Sequence, residues 1–335
     1  MPIPRINLWA LDGLRGLLAL YVIAGHTRWL LWAGHAEWSS SQHPAWQNVI
    51  AQSSAVLRYG HEAVMGFFVL SGFFIHLRIA RDLAKGDQAS LNLAHYTRRR
   101  LHRLVPPYAL ALLLTLAFDL VGRHTWPALY FAEAGNELLK ISFSRMGYSA
   151  TSVVPALFLL PSSLGYHFGT NGPLWSLGYE VVYYALYPLW LGLRLRIGLF
   201  AYLLLPISIL AGSTLLTGWP ALVLGHYSIW LTGAALAECL TTVRRVNAMV
   251  PIAMILAAAT AFGLHHLPVS RSLIPSLILA VVYGGGLVGA FALLSETWSS
   301  SIPLRALQYF GKRSYTVSAR PGPSTVLRDP RDGAA

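Results

Sequence analysis

Three ionisable side chains lie inside the first apolar run of the sequence: Asp12, Arg15 and His26. Ionisable groups are costly in a membrane-spanning helix, so they mark candidate functional sites. On an α-helix, Arg15 and His26 lie on one face, about 20° apart around the axis and about 16 Å apart along it. A neutral imidazole at His26 could take a proton from a hydroxyl or act as a nucleophile. Arg15 could instead extend to the membrane interface, paired with Asp12, and His26 could be a packed, hydrogen-bonded side chain.

A second set of candidates opens the apolar run at residues 174–193: Trp175, Ser176 and Glu180. Ser176 and Glu180 are four residues apart, so they share a helix face. Glu180 lies about six residues from the outer end of its helix, which is the depth that we predict for His26. A carboxylate and an imidazole at equal depth could form a general base and the group that orients it. Glu180 could instead hydrogen-bond a neighbouring helix and hold the bundle together.

A basic run precedes the third long apolar segment and contains Arg98, Arg99, Arg100 and Arg103. Clustered guanidinium groups fit phosphates, so the run could hold a phosphorylated cofactor on the cytoplasmic side. It could also be an orientation anchor or a site for anionic lipid headgroups. In the second apolar run, Ser71 and the glycine after it favour a point where two helices pack closely.

These residues need long apolar helices to position them, and the composition supplies such helices. Of 335 residues, 55% are hydrophobic and 11% are charged, whereas a soluble domain carries about a quarter charged residues. We therefore expect an all-α integral membrane protein, a polytopic bundle of about eight or nine transmembrane helices. The predicted spans are Leu8–Trp32, Gly60–His76, Leu104–Val121, Leu174–Leu193, Gly198–Gly218, Leu222–Leu240, Ala248–Leu267 and Leu273–Leu294. The run Thr151–Leu164, which contains two prolines, is expected to be re-entrant or interfacial, with a ninth span as the alternative.

The distribution of Lys and Arg gives the bundle a direction. If the N-terminus is cytoplasmic, the inner segments hold fifteen of these residues and the outer segments hold five. This bias fits the positive-inside rule, so we predict a cytoplasmic N-terminus. The net charge of +12 is explained by these short basic patches, and we expect the lipid bilayer rather than nucleic acid as a partner.

Several classes of site are not expected. Cys239 is the single cysteine, so a disulfide within the chain and a cysteine metal cluster are excluded. The sequence has no P-loop, no His-Glu-x-x-His pattern and no Gly-x-Ser-x-Gly elbow. His265 and His266 show no ligand spacing, and we expect no metal site. The first apolar run is too long for a cleavable signal and no cleavage site follows it.

Four motifs in this order resemble the acyltransferase-3 family of membrane-bound O-acyltransferases. Leu11-Asp-Gly-Leu-Arg15, followed by His26, is similar to the family's first-helix signature, in which ten residues separate an Arg and a His. The other three motifs are Phe67-Phe-Val-Leu-Ser-Gly-Phe-Phe-Ile75, Arg98-Arg-Arg-Leu-His-Arg-Leu-Val-Pro-Pro-Tyr108 and Trp175-Ser-Leu-Gly-Tyr-Glu180. The resemblance covers about residues 5–315. Met65 departs from it, since many members carry an acidic or polar residue at that position.

The resemblance implies an O-acyltransferase of the cell inner membrane. Members move an acyl group, often acetyl, from cytoplasmic acyl-CoA to a hydroxyl, usually on a cell-envelope saccharide. Carried over, Arg15 and His26 are the essential pair, Glu180 supports the site, and the basic run helps to hold the CoA phosphates. Acyl-CoA is then a donor substrate, with no permanently bound cofactor. Trp175, Ser176 and Ser71 are expected to support the substrate site.

The C-terminal part departs from the resemblance. Residues 1–315 are predicted to form the acyltransferase domain, and the Pro- and Arg-rich residues 316–335 to form a disordered tail. Because the family often continues into a further helix here, we expect a truncation or a change of reading frame. Two other functions fit the same composition: a transporter exporting a saccharide or lipid-linked intermediate, and a non-catalytic membrane scaffold. The absence of inverted repeats weighs against the transporter.

Overall fold

The computed structural model describes residues 6–31, 38, 43–131, 133, 137–160, 167–243, 246–247, 249–266, 272–293 and 307–308. Residues 316–335, for which we predicted a disordered tail, lie outside these ranges. The helices, in chain order, are α1 (Leu8–Leu31), α2 (Ala45–Ser54), α3 (Gly60–Lys85), α4 (Leu93–Thr125), α5 (Pro127–Tyr130), α6 (Glu137–Ser144), α7 (Ala150–Leu157), α8 (Trp175–Ile197), α9 (Leu204–Thr214), α10 (Gly218–Thr242), α11 (Met249–His265) and α12 (Leu273–Ala292). Two short strands, β1 (Met146–Gly147) and β2 (His167–Phe168), pair in parallel.

All eight apolar runs predicted to be helical contain helix, and the structure is that of an all-α membrane protein. Six stretches of the described residues are long and apolar enough to cross a membrane: Leu8–Arg28, Ala45–Lys85, Leu93–Thr125, Gly172–Thr214, Gly218–Thr242 and Leu273–Ala292. The expected number of eight or nine is therefore not confirmed. Helix α11 is shorter than the roughly 20 residues that a span needs, and a 3-10 helix joins α8 to α9 without a break.

Helix α4 corrects a predicted boundary. We expected the basic run to precede a helix that starts at Leu104, but one 33-residue helix covers both segments. Asn92 caps it, since its side chain accepts a hydrogen bond from the backbone N–H of His95 at 2.9 Å. At 1.5 Å per residue the helix is about 50 Å long, which exceeds the roughly 30 Å hydrocarbon core. The arginines therefore lie on a rigid helix rather than in a loop.

Helices α3 and α10 form the centre of the bundle, where two glycines allow their backbones to touch. A Cβ atom on Gly72 would lie 2.0 Å from the carbonyl oxygen of Trp230, and one on Gly233 would lie 2.0 Å from the carbonyl oxygen of Val69. No larger side chain fits at either point without separating the helices. The close-packing point predicted beside Ser71 is confirmed. The buried rings of Tyr183 and Tyr187 on α8 complete this core.

Helix α1 runs antiparallel to α3. A Cβ on Gly66 would lie 2.9 Å from a methyl group of Leu18, and one on Gly25 would lie 2.9 Å from the carbonyl oxygen of Leu57 and 3.8 Å from the Cα of Gly60. Residues near position 25 of α1 are therefore level with the start of α3. Over residues 8–28 of α1, the buried residues lie between Ala10 and Leu18, because the C-terminal half of the helix is only partly covered.

Candidate active site

Arg15, in the N-terminal half of α1, contacts Asp12 of its own helix and Phe74 of α3. Its Nη1 donates to Asp12 Oδ1 at 2.8 Å, as the three-residue spacing predicted. Its guanidinium lies over the Phe74 ring of α3, 4.4 Å from the ring centroid. The residue is 6% exposed, so its side chain packs within the protein. A buried, ion-paired arginine can hold an anionic group of a substrate without a change of protonation state.

Glu180 is hydrogen-bonded between α3 and α8. Ser71 Oγ donates to Glu180 Oε1 at 2.6 Å, and the Tyr184 hydroxyl donates to the same oxygen. Trp230 Nε1 of α10 donates to Ser71 Oγ at 3.3 Å. Three helices therefore meet at one carboxylate inside an apolar bundle, where hydrogen bonds to a charged group are strong and specify geometry.

Glu180 does not lie at the depth of His26, which corrects our prediction. Its partner Ser71 is three residues from Phe74, whose ring lies under the Arg15 guanidinium. The residue before His26, Gly25, is instead level with Gly60. Eleven residues separate Gly60 from Ser71, or about 16 Å along α3. The error arose because depth was counted from predicted helix ends, which are uncertain by several residues. Glu180 is therefore level with Arg15.

His26 lies on the same face of α1 as Arg15 but in a different environment. It is exposed, in the C-terminal half of the helix where no residue from Ala19 to Arg28 is buried. The residue before it, Gly25, is level with the start of α3. The predicted base-and-orienter pair of His26 and Glu180 is not formed in the structure. The imidazole is instead exposed at the end of the bundle where α3 begins.

The four arginines of the basic run point in different directions. Arg100 and Arg103 are half-buried on the face that also buries Tyr96 and Leu104. The Arg100 guanidinium lies 5.4 Å from the Tyr96 ring centroid and 5.5 Å from that of Tyr184. Its buried Nε makes no hydrogen bond to the described residues. Arg100 is therefore placed beside the Glu180 centre with one donor available for a ligand.

Arg98 and Arg99 are exposed, and Arg98 lines a shallow apolar groove on the opposite face of α4. On a helix, residues 98 and 100 are about 200° apart, so they cannot hold one ligand together. The predicted four-arginine clamp is wrong as a single cluster. The prediction placed the run before a helix starting at Leu104, whereas the run itself is helical from Leu93.

Trp175 and Ser176 are the first two residues of α8, one to two turns before Glu180. The Trp175 ring stacks against the His61 imidazole, with centroids 5.6 Å apart, and meets the ring of Phe68 edge-on. Ser176 Oγ donates to the carbonyl oxygen of Pro173 at 3.3 Å. Ser176 therefore stabilises the start of the helix and does not bond Glu180, although the two residues are four apart.

A second ionic group, which the sequence analysis missed, lies nearer the basic end of the bundle. His76 is fully buried, and its Nε2 lies 2.8 Å from Glu238 Oε1 while its Nδ1 lies 3.1 Å from the Tyr187 hydroxyl. Arg194 binds Glu238 through Nε and Nη2, at 3.0 and 2.6 Å. Glu238 and His76 are ionisable residues within predicted spans, which is the same signal that identified Arg15.

The segment predicted to lie on the outer side, described over residues 146–160 and 167–172, was also missed as a positioning element; we call it the outer segment. Asp119 of α4 is 1% exposed and accepts hydrogen bonds from the Tyr148 hydroxyl and from the Thr170 N–H and hydroxyl, at 2.6, 2.9 and 2.6 Å. Asn171 Nδ2 donates to Thr115 at 2.9 Å. These bonds fix the chain that leads directly into α8 and its Glu180.

Two titratable groups of the outer segment are perturbed. Burial raises the pKa of Tyr148 well above its ordinary value, and its hydrogen bond to Asp119 raises it further. Burial lowers the pKa of His167, and Arg145 lowers it further. Both groups are therefore uncharged at neutral pH, and Asp119 accepts from a neutral phenol.

Comparison with known proteins decides the family. Residues 8–318 match the family model described as an acyltransferase domain. The chain belongs to the acyltransferase-3 family. No curated protein and no solved structure showed a significant match. The resemblance that the four motifs implied is thus confirmed, and the chain is a membrane acyltransferase in general terms.

The structure brings all four motifs of the acyltransferase-3 chain to one place. The first motif supplies Arg15, which contacts the second at Phe74. The second supplies Ser71, which donates to Glu180 of the fourth. The third supplies Arg100, which lies over the Tyr184 ring beside Glu180. We call Arg15, Ser71, Arg100, Glu180 and Tyr184 the polar centre.

Proposed function

We propose that this acyltransferase-3 chain moves an acyl group, most simply acetyl, from acyl-CoA to a hydroxyl of a cell-envelope or exported saccharide. The observation that carries this proposal is the meeting of the four motifs at the polar centre. Two buried or half-buried guanidinium groups, Arg15 and Arg100, lie there beside a hydrogen-bonded carboxylate. This arrangement fits an anionic donor that enters an apolar bundle.

The donor enters from the inner side of a cell inner membrane, with the N-terminus in the cytoplasm. Arg100 and Arg103, which face the bundle, contact the phosphates of CoA. Arg15 binds the donor deeper in the bundle, and Glu180 fixes Ser71 and Tyr184 around it. Acyl-CoA acts as a substrate, and the site needs no resident cofactor.

His26 acts as the general base at the outer end of α1. It takes the proton from the acceptor hydroxyl as the hydroxyl oxygen bonds to the thioester carbonyl carbon. The carbon–sulfur bond then breaks, and the imidazolium returns the proton to the sulfur of CoA. The acceptor ester and free CoA are the products, so atoms and charge balance without a further reactant.

The test uses purified full-length protein, radiolabelled acetyl-CoA and an envelope saccharide fraction from the source organism. The wild type should transfer label to the saccharide, and His26→Ala should lower the rate by at least about a hundredfold, the usual contribution of a general base. His124→Ala, which removes an exposed imidazole at the end of α4, should leave the rate unchanged.

Three results would contradict the proposal. Transfer by His26→Ala at the wild-type rate would exclude His26 as the base. Label that remains on the wild-type protein without acceptor, and is absent from His26→Ala, would show that the imidazole carries the acyl group itself. Failure of the wild type to transfer any label would exclude the enzyme and favour a transporter or scaffold.

A further inference from the structure

A group of rings lies outward of the polar centre and involves two histidines that the proposed mechanism does not use. His61 of α3 and His226 of α10 meet edge-on with centroids 5.9 Å apart. Trp175 stacks on His61, and Tyr179 lies 5.9 Å from His226. Phe68 contacts both Trp175 and His226. Three helices thus contribute to one aromatic cluster.

The two imidazoles of the cluster differ in their exposure. His61 is exposed and is the second residue of α3, while Trp175 is the first residue of α8. His226 is 8% exposed and lies eight residues into α10. Phe68 and Tyr179 are buried. The rings therefore become less exposed from the helix ends at His61 and Trp175 towards Phe68, Tyr179 and His226.

One hydrogen bond fixes the chemistry of His226. Its Nδ1 lies 2.7 Å from the carbonyl oxygen of Leu222. A carbonyl oxygen can only accept, so Nδ1 carries the proton and Nε2 of the neutral ring is an acceptor. Nε2 makes no hydrogen bond to any described residue. Nε2, an acceptor surrounded by aromatic rings, suits a ligand hydroxyl as its hydrogen-bond donor.

The cluster is also placed correctly for the second substrate of an acyl transfer. Gly25, the residue before His26, adjoins Gly60, the residue before His61, so His26 and the cluster lie at the same end of α3. Phe68 is one helical turn from Ser71, so the cluster leads directly to the polar centre. Arg78, at the basic end of α3, is about 26 Å from His61 along the helix. A donor held by arginines and an acceptor held here would approach from opposite ends.

We infer that His61, Trp175 and His226 form the acceptor subsite, with a pyranose ring as its ligand; this rests on the proposed acyl transfer. The C–H face of a sugar packs against aromatic rings, while its hydroxyls need a few placed polar groups. Trp175 and His61 supply the rings. His226 Nε2 accepts a hydrogen bond from a hydroxyl and orients the sugar, while His26 takes the proton from the reacting hydroxyl.

The experiment measures transfer from labelled acetyl-CoA to the envelope saccharide fraction while each substrate concentration is varied. His226→Phe keeps the ring and removes the acceptor nitrogen. It should raise the KM for the saccharide about tenfold, which corresponds to the loss of one hydrogen bond, with the KM for acetyl-CoA unchanged. His226→Gln, which restores a hydrogen-bonding group, should recover part of this loss. His124→Phe, which alters an exposed imidazole at the end of α4, should have no effect.

A second variant covers the case in which His226→Phe fails to fold. In a Cys239→Ala background, His61→Cys should react with a membrane-impermeant maleimide from outside, and the saccharide fraction should slow that reaction. If the wild type is active but His226→Phe has an unchanged KM for the saccharide, the subsite is wrong and the acyl transfer still stands. The same conclusion follows if the saccharide fraction does not protect the cysteine. Wild type that transfers no label would overturn both.

Discussion

At the scale of single residues, the polar centre shows how a carboxylate becomes useful inside a membrane protein. Glu180 accepts from two hydroxyls, one on the neighbouring helix α3 and one a turn further along α8. Trp230 extends the chain of hydrogen bonds to α10 through Ser71. A hydrogen-bonded network inside the bundle fixes the arrangement of its members, so it can hold Ser71 and Tyr184 in place for a substrate.

Replacement of this carboxylate should separate its role from that of His26. Glu180→Gln keeps the size of the side chain but loses the charge, and it should lower the rate of label transfer by about tenfold, since charge-assisted bonds contribute about 1.5 to 3 kcal/mol. Glu133→Gln, at an exposed position, is the matched control. A Glu180→Gln protein with normal activity would show that the carboxylate only joins helices.

At the scale of elements, the sites depend on how closely pairs of helices approach. Helices α3 and α10 touch through Gly72 and Gly233, and this contact brings Trp230 to Ser71 and His226 to His61. Helix α8 joins both through its rings. The outer segment adds a further constraint, because Asp119 fixes the residues that enter α8.

The glycine contact gives a stability prediction. Gly72→Ala would place a Cβ atom 2.0 Å from the Trp230 carbonyl oxygen, so the helices must separate. We expect a loss of about 1 to 3 kcal/mol in the free energy of unfolding, as for overpacking in a core. Gly192→Ala on α8 meets no atom within 4 Å and should be neutral or slightly stabilising. Thermal unfolding in detergent, followed by loss of monodisperse protein, would compare them, and equal midpoints would contradict the contact.

At the scale of the whole molecule, polar groups lie at different depths of the bundle. His26 and the aromatic cluster lie at the end where α3 begins, the polar centre lies further along, and the Glu238 group lies towards the end of α3 that carries Arg78 and Lys85. The Glu238 group joins α3, α8 and α10 through mutual ionic hydrogen bonds, and its His76 is fully buried. We therefore assign it to stability rather than to catalysis.

Removal of one partner from this group should destabilise the bundle. Arg194→Leu leaves Glu238 with His76 alone, and we expect a loss of about 3 kcal/mol in the free energy of unfolding. Arg194→Leu combined with Glu238→Leu should lose less, because no buried charge is left unpaired. Arg196→Leu, two residues along and exposed, controls for the loss of a cationic side chain. Equal unfolding midpoints for the Arg194 and Arg196 variants would show that the ion pair contributes nothing.

The sequence by itself determined the elements and the family of this protein. Apolar runs predict helices because a chain in lipid must satisfy its own backbone, and all eight predicted runs contain helix. Four short motifs identified the acyltransferase-3 family, which the match over residues 8–318 confirms. The Asp12–Arg15 pair followed from spacing alone, because a three-residue separation on a helix needs no tertiary information.

Only the tertiary structure decided which of these residues meet. Glu180 proved level with Arg15 and not with His26, because depth depends on where helices end and how they tilt. The four arginines divided between faces, because the run is helical from Leu93. His61 and His226 lie 165 positions apart in the sequence, and no local pattern connects them. Contact between distant helices depends on packing at glycines such as Gly72 and Gly233, which single-sequence periodicity cannot assign to partners.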